Sequence, residues 1–396
     1  MDRARANETL IVVGMRTPIG SLGGVLASVP APTLGATCIK AALEKAAIAP
    51  GEVDEVIMGN VVAAGIGQNP ARQAAIKAGL PTSVGATTVN KVCGSGLKSV
   101  MLADQAIRLA ESHVVVAGGM ESMSASPYLV PNARQGYRMG HGLLVDSMIQ
   151  DGLWDVYGQQ HMGTLGDRCA AKYKFSKHEQ DDYAIRSYTR ARKAIAEGIF
   201  DAEVVPVEVP GRKGSVLVTE DEEPSRFNED KLRGLKPAFA ADGTVTAGNA
   251  SSVNDGAAAL VLVSDARCAS LRLKPIARIV GSATFSREPE WFTTAPIGAL
   301  HKLLDKINWS VDQIDLFEIN EAFSNVPMAA AQDLEIPADK LNIYGGAVAL
   351  GHPIGCTGAR ILVTLLTGLE RTGGKRGVAC LCIGGGEAVA LAVERI

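Results

Sequence analysis

The sequence predicts an α/β protein built from a duplicated unit, on three observations: two stretches of alternating strand and helix patterns, a likeness between them, and an irregular segment separating them. The first stretch opens with an apolar strand at Thr9–Val13. There follow a helix over Leu34–Ala47, a strand at Val53–Gly59, a helix near Ala71–Ala78, the β-branched run Val84–Val89, a helix over Leu97–Ala110 and a strand at Val114–Gly118. The second stretch runs through a strand at Ala277–Gly281, a helix at Ile297–Ile307, a strand at Ile314–Ile319, a helix at Phe323–Leu334, a glycine-rich turn from Tyr344 and a helix at Ala359–Glu370. It closes with strands at Gly377–Ile383 and Ala388–Glu394. Val53-Asp54-Glu55-Val56-Ile57-Met58 echoes Val311-Asp312-Gln313-Ile314-Asp315-Leu316, and each leads at a similar interval to a special turn, one bearing Cys93 and the other His352. Between the stretches, Ser124–Ala247 carries Pro127, Pro131, Gly136, Gly140, the acidic run Glu220–Glu223 and isolated helices. It reads as an inserted lid or ligand-holding region.

The 396 residues allow two or three domains. Hydrophobic residues make up 47 %, aromatics 5 %, and 43 glycines point to many tight turns and close backbone approaches, so base-stacking surfaces are scarce. A net charge of −3 argues against broad contact with nucleic acid or an anionic membrane and leaves room for a phosphate-bearing small ligand on a local basic cluster. Seven cysteines (38, 93, 169, 268, 356, 380 and 382) form no paired framework and read as reduced thiols in a cytosol-like compartment. Met1–Glu8 is too short for a presequence, Val393-Glu394-Arg395-Ile396 is no peroxisomal address, and no apolar run approaches the roughly 18 residues of a membrane span. Cytoplasm is the expected location.

Cys93 lies in Asn90-Lys91-Val92-Cys93-Gly94-Ser95-Gly96-Leu97-Lys98-Ser99, between a strand and a helix, and is the only cysteine expected at a helix N-terminal turn. That position favours negative charge, so the thiol pKa is expected to fall from about 8.5 and the nucleophilic thiolate to be enriched. Packing is the plainer role for a free cysteine. A dinucleotide fingerprint fits poorly: Ser99 stands where the third glycine belongs and Glu111 only loosely matches the acidic position.

Three further motifs accompany it. Asn320-Glu321-Ala322-Phe323 ends a strand where open α/β sheets place ligands, although Asn320 also suits an ordinary N-cap. Gly351-His352-Pro353-Ile354-Gly355-Cys356-Thr357-Gly358-Ala359-Arg360 holds a histidine able to act as base for a thiol, among glycines that permit close backbone approach. Cys380-Leu381-Cys382-Ile383-Gly384-Gly385-Gly386-Glu387 places Cys382 at a strand end followed by consecutive N–H groups. His352, Cys356, Cys380 and Cys382 invite a zinc reading, but Cys-x-Cys is not the usual spacing, and aimed N–H donors suit an oxyanion better than a cation.

Together with Gly119-Met120-Glu121-Ser122-Met123-Ser124 and Asn249-Ala250-Ser251-Ser252-Val253-Asn254-Asp255-Gly256-Ala257-Ala258, these motifs resemble the thiolase family over essentially the whole chain. The resemblance implies two duplicated core domains in α-β-α-β-α layers, residues 1–123 with 248–272 and residues 273–396, with a loop domain at 124–247 for CoA binding and tetramer contacts. It also implies a homotetramer, a dimer of dimers. In the implied mechanism Cys93 carries the acyl group, His352 activates it, and Cys382 exchanges the α-proton of the second acetyl-CoA. Asn320 holds a water that stabilises enolate charge together with His352, and the N–H groups of Cys93 and Gly384 hold the tetrahedral intermediate.

Gln160-His161-Met162-Gly163 resembles short-chain acetoacetyl-CoA thiolases, in which the methionine closes the acyl pocket. Glu288-Pro289-Glu290-Trp291-Phe292, Tyr188, Arg226 and Lys231 resemble the potassium-stimulated type. The expected substrate and CoA contacts are His161, Met162, Tyr188, Arg226, Lys231, Phe239, Ala247, Ser251, Phe292 and Phe323, with Arg226 and Lys231 at the CoA phosphates and adenine and Ser251 at the pantetheine. Tyr188, Ala247, Ala250 and Val348 match the surroundings of a potassium activator. No cofactor is required beyond the CoA thioesters themselves. Glu387-Ala388 departs from the family, where many members have an uncharged residue followed by glycine, and this puts local backbone shape in doubt. The implied activity is reversible condensation of two acetyl-CoA to acetoacetyl-CoA and CoA. The alternatives are a broader 3-ketoacyl-CoA thiolase of fatty-acid degradation and a non-catalytic lipid carrier, which would need none of the three polar residues together.

Overall fold

In a computed structural model, which describes residues 7–211 and 214–396, nine main strands and a short one form one mixed sheet. The strands are β1 (Thr9–Arg16), β2 (Glu55–Gly59), β3 (Gly85–Val89), β4 (Val114–Ser122), β5 (Asn254–Ser264), β6 (Ala277–Ser286), β7 (Leu316–Ile319), β8 (Arg376–Ile383) and β9 (Glu387–Arg395). Their order is β7-β8-β9-β6-β1-β5-β4-β2-β3, with Gly20–Ser21 pairing to β5. Most of Met1–Glu8, read above as too short for a presequence, lies outside the described residues.

The two halves meet at β1 and β6 through only two residue pairs, Leu10 with Arg278 and Ile11 with Ala277. Within each half the terminal pairing is parallel, β2 with β3 and β4 on one side and β7 with β8 on the other, as crossover helices require. The principal helices are α1 (Ala31–Ala46), α2 (Pro70–Lys77), α3 (Ser95–Arg108), α4 (Met162–Tyr173), α5 (Lys177–Ala196), α6 (Ala295–Ile307), α7 (Asn325–Leu334) and α8 (Ile354–Thr372).

Three apolar cores define the layers. Leu34, Ile39 and Ala74 of α1 and α2 cover one face of the first half, joining Met58, Val116 and Val261. Leu300 and Leu303 of α6 cover the far face of the second half with Ala330 of α7. Between the halves, Leu97, Val100 and Ile107 of α3 and Ile361, Leu362 and Leu365 of α8 share one core with both halves of the sheet. The order is therefore α-β-α-β-α, the layering expected, and α8 is buried along nearly its whole length because it has strands on both sides. Each such aliphatic side chain removed from water contributes about 1.5–3 kcal/mol, so the central layer is where the halves are held together.

β5 was not expected as a strand. All eleven of its residues are buried, so it shows none of the alternation that marks a half-exposed strand. The helix expected from Ala359 begins five residues earlier, at Ile354, behind Pro353. Consequently Cys356 lies in the first turn of α8, and Cys93 is not the only cysteine near a helix start.

Candidate active site

The turns bearing Cys93 and His352 are brought together by two helices that touch through glycine. A Cβ on Gly96 of α3 would stand 2.7 Å from the Ala359 nitrogen of α8, and one on Gly358 would stand 2.3 Å from the Leu97 nitrogen. Only hydrogen fits at this crossing, which is why helical glycine is tolerated here despite its entropic cost. Beside it, the buried Glu121 carboxylate accepts the N–H groups of Val61 (3.0 Å), Val62 (3.2 Å) and Gly355 (2.9 Å) and the Asn60 amide (2.7 Å). Burial raises this carboxyl to about 7 while the three N–H groups pull it back.

His352 is held on three sides. Its N–H donates to Asn254 Oδ1 at 2.8 Å, and Gly351, at φ +107°, lets the backbone pass over the Asn254 side chain. Its Nδ1 lies 2.7 Å from Thr357 Oγ1, whose own hydrogen goes to the Pro353 carbonyl at 2.9 Å. With that hydroxyl proton committed, Nδ1 is the donor and Nε2 carries the lone pair, 3.5 Å from Asn320 Nδ2. Burial, reinforced by the Arg360 charge, lowers the imidazole to about 3, so it is neutral at physiological pH.

Asn320 does not cap a helix: α7 begins at Asn325 behind Ser324, and Asn320 Oδ1 is buried without a hydrogen-bond partner among the described residues. The strand end sets it beside His352 instead.

Cys93 is half-buried, and the backbone N–H groups of Gly384 and of Cys93 itself favour its thiolate. The expected depression of its pKa is not found. The protein packed around it raises the thiol to about 11, and those N–H groups only partly offset the effect. A helix terminus is worth about 0.3–1 kcal/mol. The rise above an ordinary thiol corresponds to ~3 kcal/mol against the thiolate, so burial wins. Cys382 is fully buried at the end of β8, and burial, with Cys93 close by, raises it well above the ordinary range.

Around Cys382, Met162, Phe239, Phe292 and Phe323 pack in one apolar cluster with Leu165 and Ala250. Phe239 stacks on His161 at 4.8 Å, and Phe323 meets Phe239 and Phe292 edge-on. Met162 also covers Gly384, its Cε 3.3 Å from where a Cβ would lie. Ser251 donates its hydroxyl to the Ala322 carbonyl at 3.1 Å, which ties the segment after Ala250 to Phe323.

A second group gathers beside α5. Tyr188 stacks on Phe227 at 4.6 Å and packs with Leu232 and Val348, and Gly248 backs on Leu232, which brings the exposed Ala247 alongside. Arg226 and Lys231 flank it, both exposed, Arg226 ion-paired with Glu222. Glu321 joins the two groups: its carboxylate accepts from Tyr183 (3.0 Å), Ser187 (2.7 Å), Asn342 (2.9 Å) and the Val348 N–H (3.1 Å). Sequence reasoning assigned no role to Glu121, Asn254, Glu321 or Thr357. All four stand inside the motifs quoted for the resemblance, and that placement was the available signal.

The Glu387-Ala388 departure leaves the backbone undisturbed. Positive φ falls on Gly385 and Gly386, while Cys382 and Ile383 pair in register with Ala388 and Glu387.

Comparison with known proteins gives the same picture throughout the chain. Residues 9–266 match the family model described as thiolase, N-terminal domain, and residues 273–395 the thiolase, C-terminal domain. The chain is 53 % identical to an acetyl-CoA acetyltransferase of Chromobacterium violaceum over 98 % of its length and 100 % of the relative's, and 51 % identical to one of Cupriavidus necator over 98 % and 99 %. The crystal structure of the Bacillus anthracis acetyl-CoA acetyltransferase superposes with a TM-score of 0.97 at 42 % identity, covering 99 % of this chain and 100 % of that one.

Proposed function

This chain belongs to the thiolase family of acyltransferases, and from that premise we propose that it is an acetyl-CoA C-acetyltransferase, joining two acetyl-CoA into acetoacetyl-CoA and CoA and running the reverse thiolysis. The observation that carries the reading is the glycine crossing that sets the Cys93 turn beside the His352 turn, with the His352 lone pair at Nε2 next to Asn320 and with Cys382 in the apolar cluster of Met162, Phe292 and Phe323.

At rest both partners are neutral. Attack begins when Cys93 sulfur bonds the acyl carbon as its proton passes to His352 Nε2, and the carbonyl electrons move to an oxygen facing the Cys93 and Gly384 N–H groups. Collapse breaks the carbon–sulfur bond to CoA, which leaves with the proton, and an acetyl thioester stays on Cys93. Cys382, its own proton passed to His352, then takes an α-proton from the second acetyl-CoA, with the His352 N–H and a water on Asn320 bearing the enolate charge. The carbanion attacks the acetyl carbon, the carbon–sulfur bond to Cys93 breaks, and Cys93 takes the proton back from His352. A cysteine thioester lies near a CoA thioester in energy, so the sequence stays reversible.

Met162 over Gly384, with Phe292 and Phe323 behind it, supports a small acyl group. We assign Arg226 and Lys231 to the CoA phosphates and adenine, Ser251 to the pantetheine, and His161, Phe239 and Ala247 to the same channel. The domain division is residues 1–123 with 248–272, 124–247 and 273–396. The exposed apolar side chains Tyr128, Tyr137, Met139, Leu143 and Leu144 favour assembly through the loop domain into a homotetramer. Cytoplasm is the proposed location; among the described residues no helix is long and apolar enough to cross a membrane.

For potassium, the Tyr188 hydroxyl and the carbonyls of Ala247, Ala250 and Val348 are hard oxygen donors. Burial and then the charges of Glu223 and Glu321 raise the Tyr188 phenol, so negative charge stands beside these oxygens, as a cation requires. Activity in potassium against sodium at matched ionic strength tests this, equal rates overturning it.

The decisive experiment is CoA-dependent cleavage of 3-ketoacyl-CoAs of increasing chain length. We expect acetoacetyl-CoA to be cleaved fastest. Rates rising with chain length would instead make the enzyme a broader 3-ketoacyl-CoA thiolase.

A further inference from the structure

One ionic contact beside the nucleophile is unused by this mechanism. Lys91, two residues before Cys93, forms an ion pair with Glu387, a partner 296 positions along the chain. Both are partly shielded from solvent, their side chains 21 % and 33 % exposed. Neither end is loose. The Lys91 N–H donates to Ser95 Oγ at 2.8 Å, and that hydroxyl donates to the Val92 carbonyl at 2.6 Å, locking Lys91 into the Cys93 turn. The other Glu387 oxygen accepts from Ser286 Oγ at 3.0 Å, and Glu387 pairs in register with Ile383 across the glycine turn. Between the two ends, Ile383 Cδ1 fills the space a Cβ on Gly94 would need, at 2.3 Å.

These two turns carry the two backbone N–H groups, of Cys93 and of Gly384, that favour negative charge on the Cys93 sulfur. Gly385 and Gly386, at φ +92° and +89°, give the second turn its shape, and neither has a side chain to anchor it. It is held at its end by the Gly386 carbonyl, which accepts the Arg287 N–H at 2.8 Å, and by the side chain of the first residue after it, Glu387.

We infer that Lys91 and Glu387 are positioning residues, a clasp that sets the spacing between the Cys93 turn and the Gly384 turn and thereby the geometry of the two N–H donors. This rests on the reading of Cys93 as nucleophile and Gly384 as donor. A part-buried ion pair held by hydrogen bonds at both ends is suited to the task, because breaking it strands a charge that water solvates only partly. Lys98, one helical turn after Ser95, shares the field: its ammonium is pushed down by burial and by Lys91 and pulled back by Glu387.

The test is steady-state thiolysis of acetoacetyl-CoA by K91Q, E387Q, the double variant K91Q/E387Q, and K91R. The clasp predicts kcat about tenfold lower in each single variant with KM changed less than about twofold, since donor geometry acts on the transition state more than on binding. The double variant should be no slower than either single one, and K91R should keep most of the rate. Unchanged kcat in the single variants, additive losses in the double, or KM rising with kcat unchanged would overturn it. C93A separates the two readings: if that variant still forms acetyl-enzyme, the nucleophile assignment itself fails, whatever the clasp variants do.

Discussion

Asn320 and His352, 32 residues apart in the chain, meet with Nδ2 3.5 Å from Nε2, and Asn320 Oδ1 is left buried without a partner among the described residues. An orphaned acceptor beside the imidazole is costly, about 1–3 kcal/mol, and a water or substrate donor there would relieve it. Asn320→Ala should therefore spare acetyl transfer to the enzyme and slow condensation about 100-fold. Rapid-quench measurement of the acetyl-enzyme burst beside the steady-state rate distinguishes the steps; a lost burst would put Asn320 in the first half-reaction.

Brief exposure to acetyl-CoA should leave one acetyl group on Cys93. Peptide mass mapping must separate it from Cys356, the other cysteine in a helix first turn, and from Cys382. Cys382→Ala should keep the label and lose carbon–carbon bond formation, whereas a label on Cys382 or Cys356 in the unaltered protein would overturn the assignment.

Because the Cys93 thiol is raised to about 11, its alkylation by iodoacetamide should still be climbing tenfold per pH unit at pH 9. A plateau near pH 7 would show a preformed thiolate, the expectation this structure displaces.

His352 is lowered to about 3 in the folded state, against about 6.5 for an ordinary histidine. The unfolded chain then binds the extra proton first, so this residue's contribution is complete above pH 6.5 and is lost as the pH falls toward 3. By pH 5 the loss amounts to about 2 kcal/mol. Glu121 and Glu318, raised to about 7 and about 8 by burial, work in the opposite sense, stabilising the fold as the pH falls. The contribution of His352 is therefore isolated by comparing urea midpoints of wild type and His352→Asn at pH 7 and pH 5. The variant should lose distinctly less stability on acidification, and an identical loss would refute the shift.

Gly358→Ala should destabilise the fold by more than ~3 kcal/mol, as its methyl meets backbone rather than a side-chain tip that can move aside. Gly373→Ala, at a surface helix end with open space around it, costs only its positive φ and serves as the control. Chemical denaturation compares them; equal losses would deny the crossing its role.

The fold class was legible because most strands are compact β-branched or aliphatic runs separated by amphipathic helices. β5 escaped because Asn254–Ser264 is buried on both faces and rich in alanine, so neither period shows. The start of α8 escaped for a related reason. Pro353, Gly355 and Gly358 read as a turn, although the two glycines are helical and exist for contact with neighbouring backbone. Cys93, His352 and Cys382 stood out by their glycine surroundings, but the direction of the Cys93 shift did not follow from local sequence. It depends on how much of the rest of the chain packs around the sulfur, and Glu387 likewise acquires meaning only from Lys91, far away in sequence.

The glycine crossing of α3 and α8 has a consequence for how this enzyme can diversify. A joint without side chains has no rotamer to change and no volume to trade, so the span between the Cys93 and His352 turns is inherited as a fixed quantity. Substitution cannot retune it by degrees. On the proposed reading of the site, adaptation to other acyl groups falls to the apolar cluster around Cys382, where Met162, Phe292 and Phe323 can be exchanged one at a time while the Cys93 and His352 turns stay in place.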